Sequence, residues 1–120
     1  MNDADSEYRR LVDAMVEACN EGQGQIAASR VHAGVWNEHV DEHHEQQAIN
    51  ELLATLTLDQ RAVLAGLLTS QYRSGMFGAL VVLSESETHP FDRAYEGSPF
   101  EDFMGRVDGW QWPENEPTSS

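Results

Sequence analysis

The sequence predicts an all-α protein, a compact bundle of four to six helices with a polar loop before a short C-terminal helix. Two kinds of observation carry this. Apolar residues repeat at helical spacing near both ends of the chain, and two stretches, Thr57-Leu58-Asp59-Gln60 and Ser98-Pro99-Phe100-Glu101, carry the chemistry of helix starts. At 120 residues and 40% hydrophobic content, the chain is long enough for one domain with a core of its own. That domain is expected to span residues 1–113, with 114–120 a disordered polar tail.

The first helix is written in Tyr8, Leu11, Val12, Met15, Val16 and Cys19, one stripe at i, i+3, i+4, i+7, i+8 and i+11. Asp5 or Ser6 is its expected cap, and Asn20-Glu21-Gly22 its left-handed stop. Residues 23–40 are less legible. Ile26, Ala27, Val31 and Ala33 fit a short helix that ends at Gly34.

Between Trp36 and Leu56 the apolar face reverses. Trp36, Val40, His43 and Gln47 share one side, whereas Ala48, Ile49, Leu52, Leu53 and Leu56 occupy nearly the opposite one. A break near residues 40–42 resolves the conflict, with Asp41 capping a new helix that runs to about Leu56. Thr57 and Gln60 then form a capping box for a helix carrying Val63, Leu64, Leu67 and Leu68. Ser74-Gly75 and Gly78 predict a kink or restart before the all-round apolar Met76 to Leu83, read as a buried helix in preference to a buried strand. Ser84 to Gly97, with Pro90, reads as a polar excursion across the surface. The last helix starts with Ser98 as cap, Pro99 in its first turn and Glu101 behind them. Phe100, Phe103, Met104 and Val107 form its stripe, and Gly109 stops it before Trp110, Trp112 and Pro113.

Charge narrows the function. Twenty-one acidic residues face seven basic ones, all arginine, for a net −14. That field repels phosphate backbones and anionic lipid, which excludes direct nucleic-acid and membrane-surface binding and favours a basic protein partner. The start MNDADSEYRR lacks a signal peptide's basic and apolar regions, and the longest apolar run, Ala79 to Leu83, is too short to span a membrane. A cytoplasmic location is expected. Cys19 is the single cysteine, so an internal disulfide and a cysteine zinc finger are both excluded. Its place on the first apolar stripe makes it a small core residue rather than a nucleophile.

Catalytic signatures are missing. His44-Glu45-Gln46-Gln47-Ala48 has the His-Glu pair of a zincin, but alanine replaces the second ligand. His39 and His43 stand at i, i+4, and a three-histidine site drawn from His32, His39 and His43 or His44 would need convergence from separate elements. The sequence has no G-x-S-x-G elbow and no phosphate-binding glycine loop.

The stretch WNEHVDEHHEQQAINELLATLTLDQRAVLAGLL, from Trp36, and the ending FEDFMGRVDGWQWPE resemble a family of small acidic bacterial proteins known only as a domain of unknown function. The resemblance covers about residues 36–114 and leaves the first helix outside it. It implies a bacterial or phage origin and no activity.

The expectation is therefore a non-enzymatic interaction module without cofactor or metal, an inhibitor, immunity or antitoxin-like protein that binds a basic partner. Glu38, Asp41, Glu42 and Glu45 would steer that partner, and Trp110 and Trp112 would anchor it. The alternatives are a metal-binding enzyme built on His39, His43 and His44, and a helical oligomeric scaffold. Whether the chain is a monomer or a homodimer stays open.

Overall fold

The computed structural model describes residues 3–38 and 44–113. Five α-helices follow one another: α1 (Asp3–Asn20), α2 (Ile26–Ala33), α3 (His44–Thr55), α4 (Leu58–Glu85) and α5 (Pro99–Val107), with a 3-10 turn at Gln23–Gln25. The described residues contain no strand, as an all-α chain requires. Contacts divide the chain into two compact units, Met1–Glu17 with Ser74–Ser120 and Ala18–Arg73, so that the divisions fall inside α1 and α4.

In the unit Ala18–Arg73, Ala28 and Val31 of α2, Leu53 of α3 and Ala65 of α4 form a buried cluster. Trp36, Ile49, Leu56, Leu64 and Leu68 pack around it. The inward stripe is Ile49 and Leu53 of α3 with Leu56 just beyond it, whereas Ala48 and Leu52, expected on the same face, are exposed. The expected break with its Asp41 cap lies outside the described residues.

Two glycines shape this unit. Gly34 ends α2 in the left-handed region at φ +82, and its amide donates to Arg30 and Val31 carbonyls. The Arg61 guanidinium fills the space where a side chain would begin, and its Nη1 donates to the His32 carbonyl at 3.1 Å. Gly22, expected to be a left-handed stop, instead has φ −111. The end of α1 is satisfied another way: Gln25 Nε2 donates to the Cys19 carbonyl at 2.9 Å and Arg73 Nη2 to Asn20 Oδ1 at 2.8 Å. The glycine that the turn needs is the buried Gly24, where an added Cβ would stand 2.8 Å from the Cys19 backbone and from the Tyr72 ring.

The capping box at α4 forms with both of its bonds, Gln60 N–H to Thr57 Oγ1 at 3.1 Å and Thr57 N–H to Gln60 Oε1 at 2.9 Å. Neither the restart after Gly75 nor the all-round burial of Met76 to Leu83 occurs. α4 is one uninterrupted helix through both glycines, because glycine weakens a helix by only about 1 kcal/mol and leaves its hydrogen-bond ladder intact. Of that apolar segment Leu80 is fully buried, whereas Gly78, Ala79 and Val82 are exposed.

In the unit made of residues 1–17 and 74–120, Tyr8, Val12, Leu80 and Phe103 are buried and the Phe77 and Phe100 rings lie 5.0 Å apart. α1 begins at Asp3, so Asp5 lies in its first turn rather than capping it. α5 starts as its sequence dictates, with Ser98 Oγ accepting from the Glu101 amide at 3.3 Å and Pro99 in the first turn. Gly109 closes it at φ +94. The segment before it is more than an excursion: Pro90 and Phe91 are buried within it.

Candidate functional site

Asp102 is the residue that organises the unit of α1 and α5. It is fully buried on α5, and its carboxylate accepts from the Tyr8 hydroxyl at 2.5 Å, the Tyr95 amide at 2.7 Å and the Glu96 amide at 2.8 Å. Three donors satisfy a buried charge that would otherwise be costly, and they tie the loop before α5 to that helix. Burial, then the bond to Asp102, pushes the Tyr8 hydroxyl far above the usual tyrosine range. Tyr8 is thereby held as a donor to the buried carboxylate.

A second cluster surrounds Trp112. Its indole N–H donates to the Asp13 carboxylate at 2.9 Å, and Asp13 also accepts from Arg106 Nε at 2.7 Å. The Arg9 and Arg106 guanidiniums lie 5.1 and 5.5 Å from the Trp112 ring centre, a cation–π arrangement. Trp110 meets Trp112 edge-on at 5.0 Å and Tyr95 at 5.6 Å. The expected anchors Trp110 and Trp112 thus come together, but the polar end of Trp112 is consumed by Asp13. The outward aromatic of this cluster is Tyr95. The loop holds two aromatics, Phe91 and Tyr95, and nothing in their spacing marks which is buried and which faces outward.

The arginines are occupied in the same manner elsewhere. Arg93 pairs with Asp5 at 3.0 Å, Arg61 and Arg73 hold the ends of α2 and α1, and Arg30 lies over Trp36 at 5.4 Å. Arg10 sits exposed on α1. The acids are disposed in the opposite way: among the described acidic residues, all but Asp5, Asp13 and Asp102 are exposed. Apart from Arg10, the arginines make contacts within the fold, and most of the described acids are left to solvent.

Of the expected steering residues, Glu38 and Glu45 are exposed, and Asp41 and Glu42 lie outside the described residues. Glu38 follows a tightly held corner. Asn50 Oδ1 accepts from the Trp36 and Asn37 amides at 2.5 and 3.2 Å, Asn50 Nδ2 donates to the Asn37 carbonyl at 2.6 Å, and Asn37 Nδ2 donates to Gln46 Oε1. Glu45 stands in the first turn of α3, where the helix dipole favours an anion. Glu85 ends α4, and Glu87 just beyond it takes the left-handed conformation at φ +54.

For the histidine alternative, His39 and His43 lie outside the described residues. His44 opens α3 and His32 is exposed on α2. Among the described residues no three His, Cys, Asp or Glu side chains are placed to hold a metal ion. Cys19 is buried, and desolvation pushes its thiol up despite the neighbouring Arg73, which opposes a nucleophilic role.

A family of unknown function, DUF6547, matches residues 1–114. The chain belongs to that family. The DUF6547 match takes in α1, which the resemblance read from Trp36 onward left out. Comparison with curated proteins and with solved structures finds no match. In this DUF6547 chain no helix among the described residues is long and apolar enough to cross a membrane.

Proposed function

We propose that this DUF6547 protein is a cytoplasmic, non-catalytic interaction module that binds a basic protein partner through its acidic surface. One observation carries the reading: the arginines other than Arg10 are engaged within the fold while Glu38, Glu45, Glu51, Asp59, Glu85, Glu87, Asp92 and Glu96 stand exposed. A net charge of −14 therefore reaches the surface nearly undiluted, where it steers a cationic partner and raises its association rate. Tyr95 and Trp110 add an aromatic pair of the kind that anchors interfaces. A single buried thiol and the absence of any disulfide suit a reducing compartment.

The test is capture from native lysate by the tagged full chain, at low and at moderate salt, read by mass spectrometry. The reading expects one or a few basic proteins held at low salt and released as salt rises. Empty captures at both salts, or partners of net negative charge, would overturn it.

A further inference from the structure

The outward face of α5 brings exposed acids and the Tyr95–Trp110 pair together. Glu101, Met104 and Asp108 stand exposed at i, i+3 and i+7, with Gly105 among them. Because Gly105 has no side chain, Trp110 rests directly on the helix: a Cβ at position 105 would meet Trp110 atoms at 3.6 and 3.7 Å. The Trp110 amide donates to the Gly105 carbonyl at 2.9 Å, and the Trp110 carbonyl accepts from Arg106 Nη1. The indole is thus fixed between two acidic positions, since Gly105 lies about 6 Å along the axis from Glu101 and about 4.5 Å from Asp108.

Tyr95 lies against Trp110 with ring centres 5.6 Å apart, and it is 47% exposed. Its backbone is held: the Tyr95 and Glu96 amides both donate to the buried Asp102 carboxylate. Glu101 Oε2 stands 3.8 Å from the position a Cβ on Gly97 would take, which sets a second carboxylate beside the loop that carries Glu96. An exposed aromatic pair fixed in this way loses little freedom when it is covered, as an interface anchor should. Charge and ring chemistry say what covers it. The exposed carboxylates of Glu96, Glu101 and Asp108 call for a cation. The same aromatic cluster already takes guanidiniums from its own chain, Arg9 at 5.9 Å from the Tyr95 ring centre and Arg9 and Arg106 at 5.1 and 5.5 Å from that of Trp112.

We infer that the Tyr95–Trp110 pair is the docking point for an arginine side chain of the basic partner, its guanidinium stacked on the rings and paired with the carboxylates of Glu101 and Asp108. A planar guanidinium suits this patch better than an ammonium, because it can stack on an aromatic face while its edge bonds a carboxylate. The inference rests on the basic-partner reading and adds a place and a side chain to it.

Titration of the isotope-labelled full chain with hexa-arginine and hexa-lysine amides at moderate salt, followed by NMR, tests it. The two probes carry the same charge, so a diffuse acidic surface treats them alike and the patch does not. Hexa-arginine should shift the Trp110 indole and the Glu96 and Glu101 amides saturably, and hexa-lysine should do so at least fivefold more weakly. Tyr95→Ala and Glu101→Gln/Asp108→Asn, both checked by circular dichroism, should each weaken hexa-arginine at least threefold. Glu45→Gln/Glu51→Gln, an equal loss of charge in the unit Ala18–Arg73, should leave the Trp110 response within twofold of wild type. Equal binding of the two peptides, or shifts spread over the acids with Trp110 unmoved, would overturn the arginine site while the basic-partner reading stands. Failure of both peptides to bind even at low salt would overturn the two together.

Discussion

The Tyr8 hydroxyl donates to Asp102 Oδ2 at 2.5 Å across 94 positions of sequence, and both side chains are buried. This bond joins the first helix of the chain to the last. Tyr8→Phe should remove it while keeping the ring that packs edge-on against Phe91 and Trp112. The expected loss is about 1.5–3 kcal/mol, the value of a bond to a charged acceptor, read by urea denaturation at neutral pH.

The same pair sets a pH dependence. The folded-state pKa of Tyr8 is raised above its unfolded value of 10.0, so the folded chain keeps a proton that the unfolded chain releases. Its contribution is fully present below pH 10 and declines above it, at up to about 1.4 kcal/mol per pH unit. Stability curves of wild type and Tyr8→Phe should therefore converge as pH rises beyond 10. Parallel curves would contradict the assignment.

Gly24 and Gly66 should respond oppositely to alanine. At Gly24 the new methyl meets the Cys19 backbone and the Tyr72 ring at 2.8 Å, and a loss of about 1–3 kcal/mol is expected from overpacking. At Gly66 it meets nothing and should improve the helix by about 0.5–1 kcal/mol. Thermal unfolding at low micromolar concentration compares the two.

Glu87 holds φ +54 without being glycine, a conformation that costs an L-residue about 1 kcal/mol. Glu87→Gly should raise stability by up to that amount while removing one negative charge beside Glu85. If binding of a basic partner weakens as stability rises, the charge is functional and the strain is tolerated for it.

Much of the fold is legible because its signals are local. The Thr57–Gln60 box, Ser98-Pro99, Gly34 and Gly109 each act within a few residues of chain, and each stands where the sequence puts it. The failures have physical causes. Gly75 and Gly78 look like breaks, but a helix tolerates glycine when its ladder is complete and one side is buried. Met76 to Leu83 looks buried all round because hydropathy records what a residue could bury, not which side meets a neighbour. Asp102, the most consequential polar residue of α5, was invisible, since its donors lie on α1 and in the loop before α5 and no spacing rule links them. For the candidate surface, the sign of the charge was legible in composition. That the arginines would be engaged and the acids left outside required the fold.

The central claim is that exposed carboxylates, rather than the fold's apolar or aromatic parts alone, select the partner. The measurement that tests it most directly is low-salt capture from one lysate by wild type, by Glu38→Lys/Glu45→Lys and by Glu85→Lys/Glu87→Lys, all confirmed folded by circular dichroism. The account predicts that at least one pair of reversals releases the basic proteins that wild type retains. Retention of the same proteins at the same levels by all three chains would contradict it.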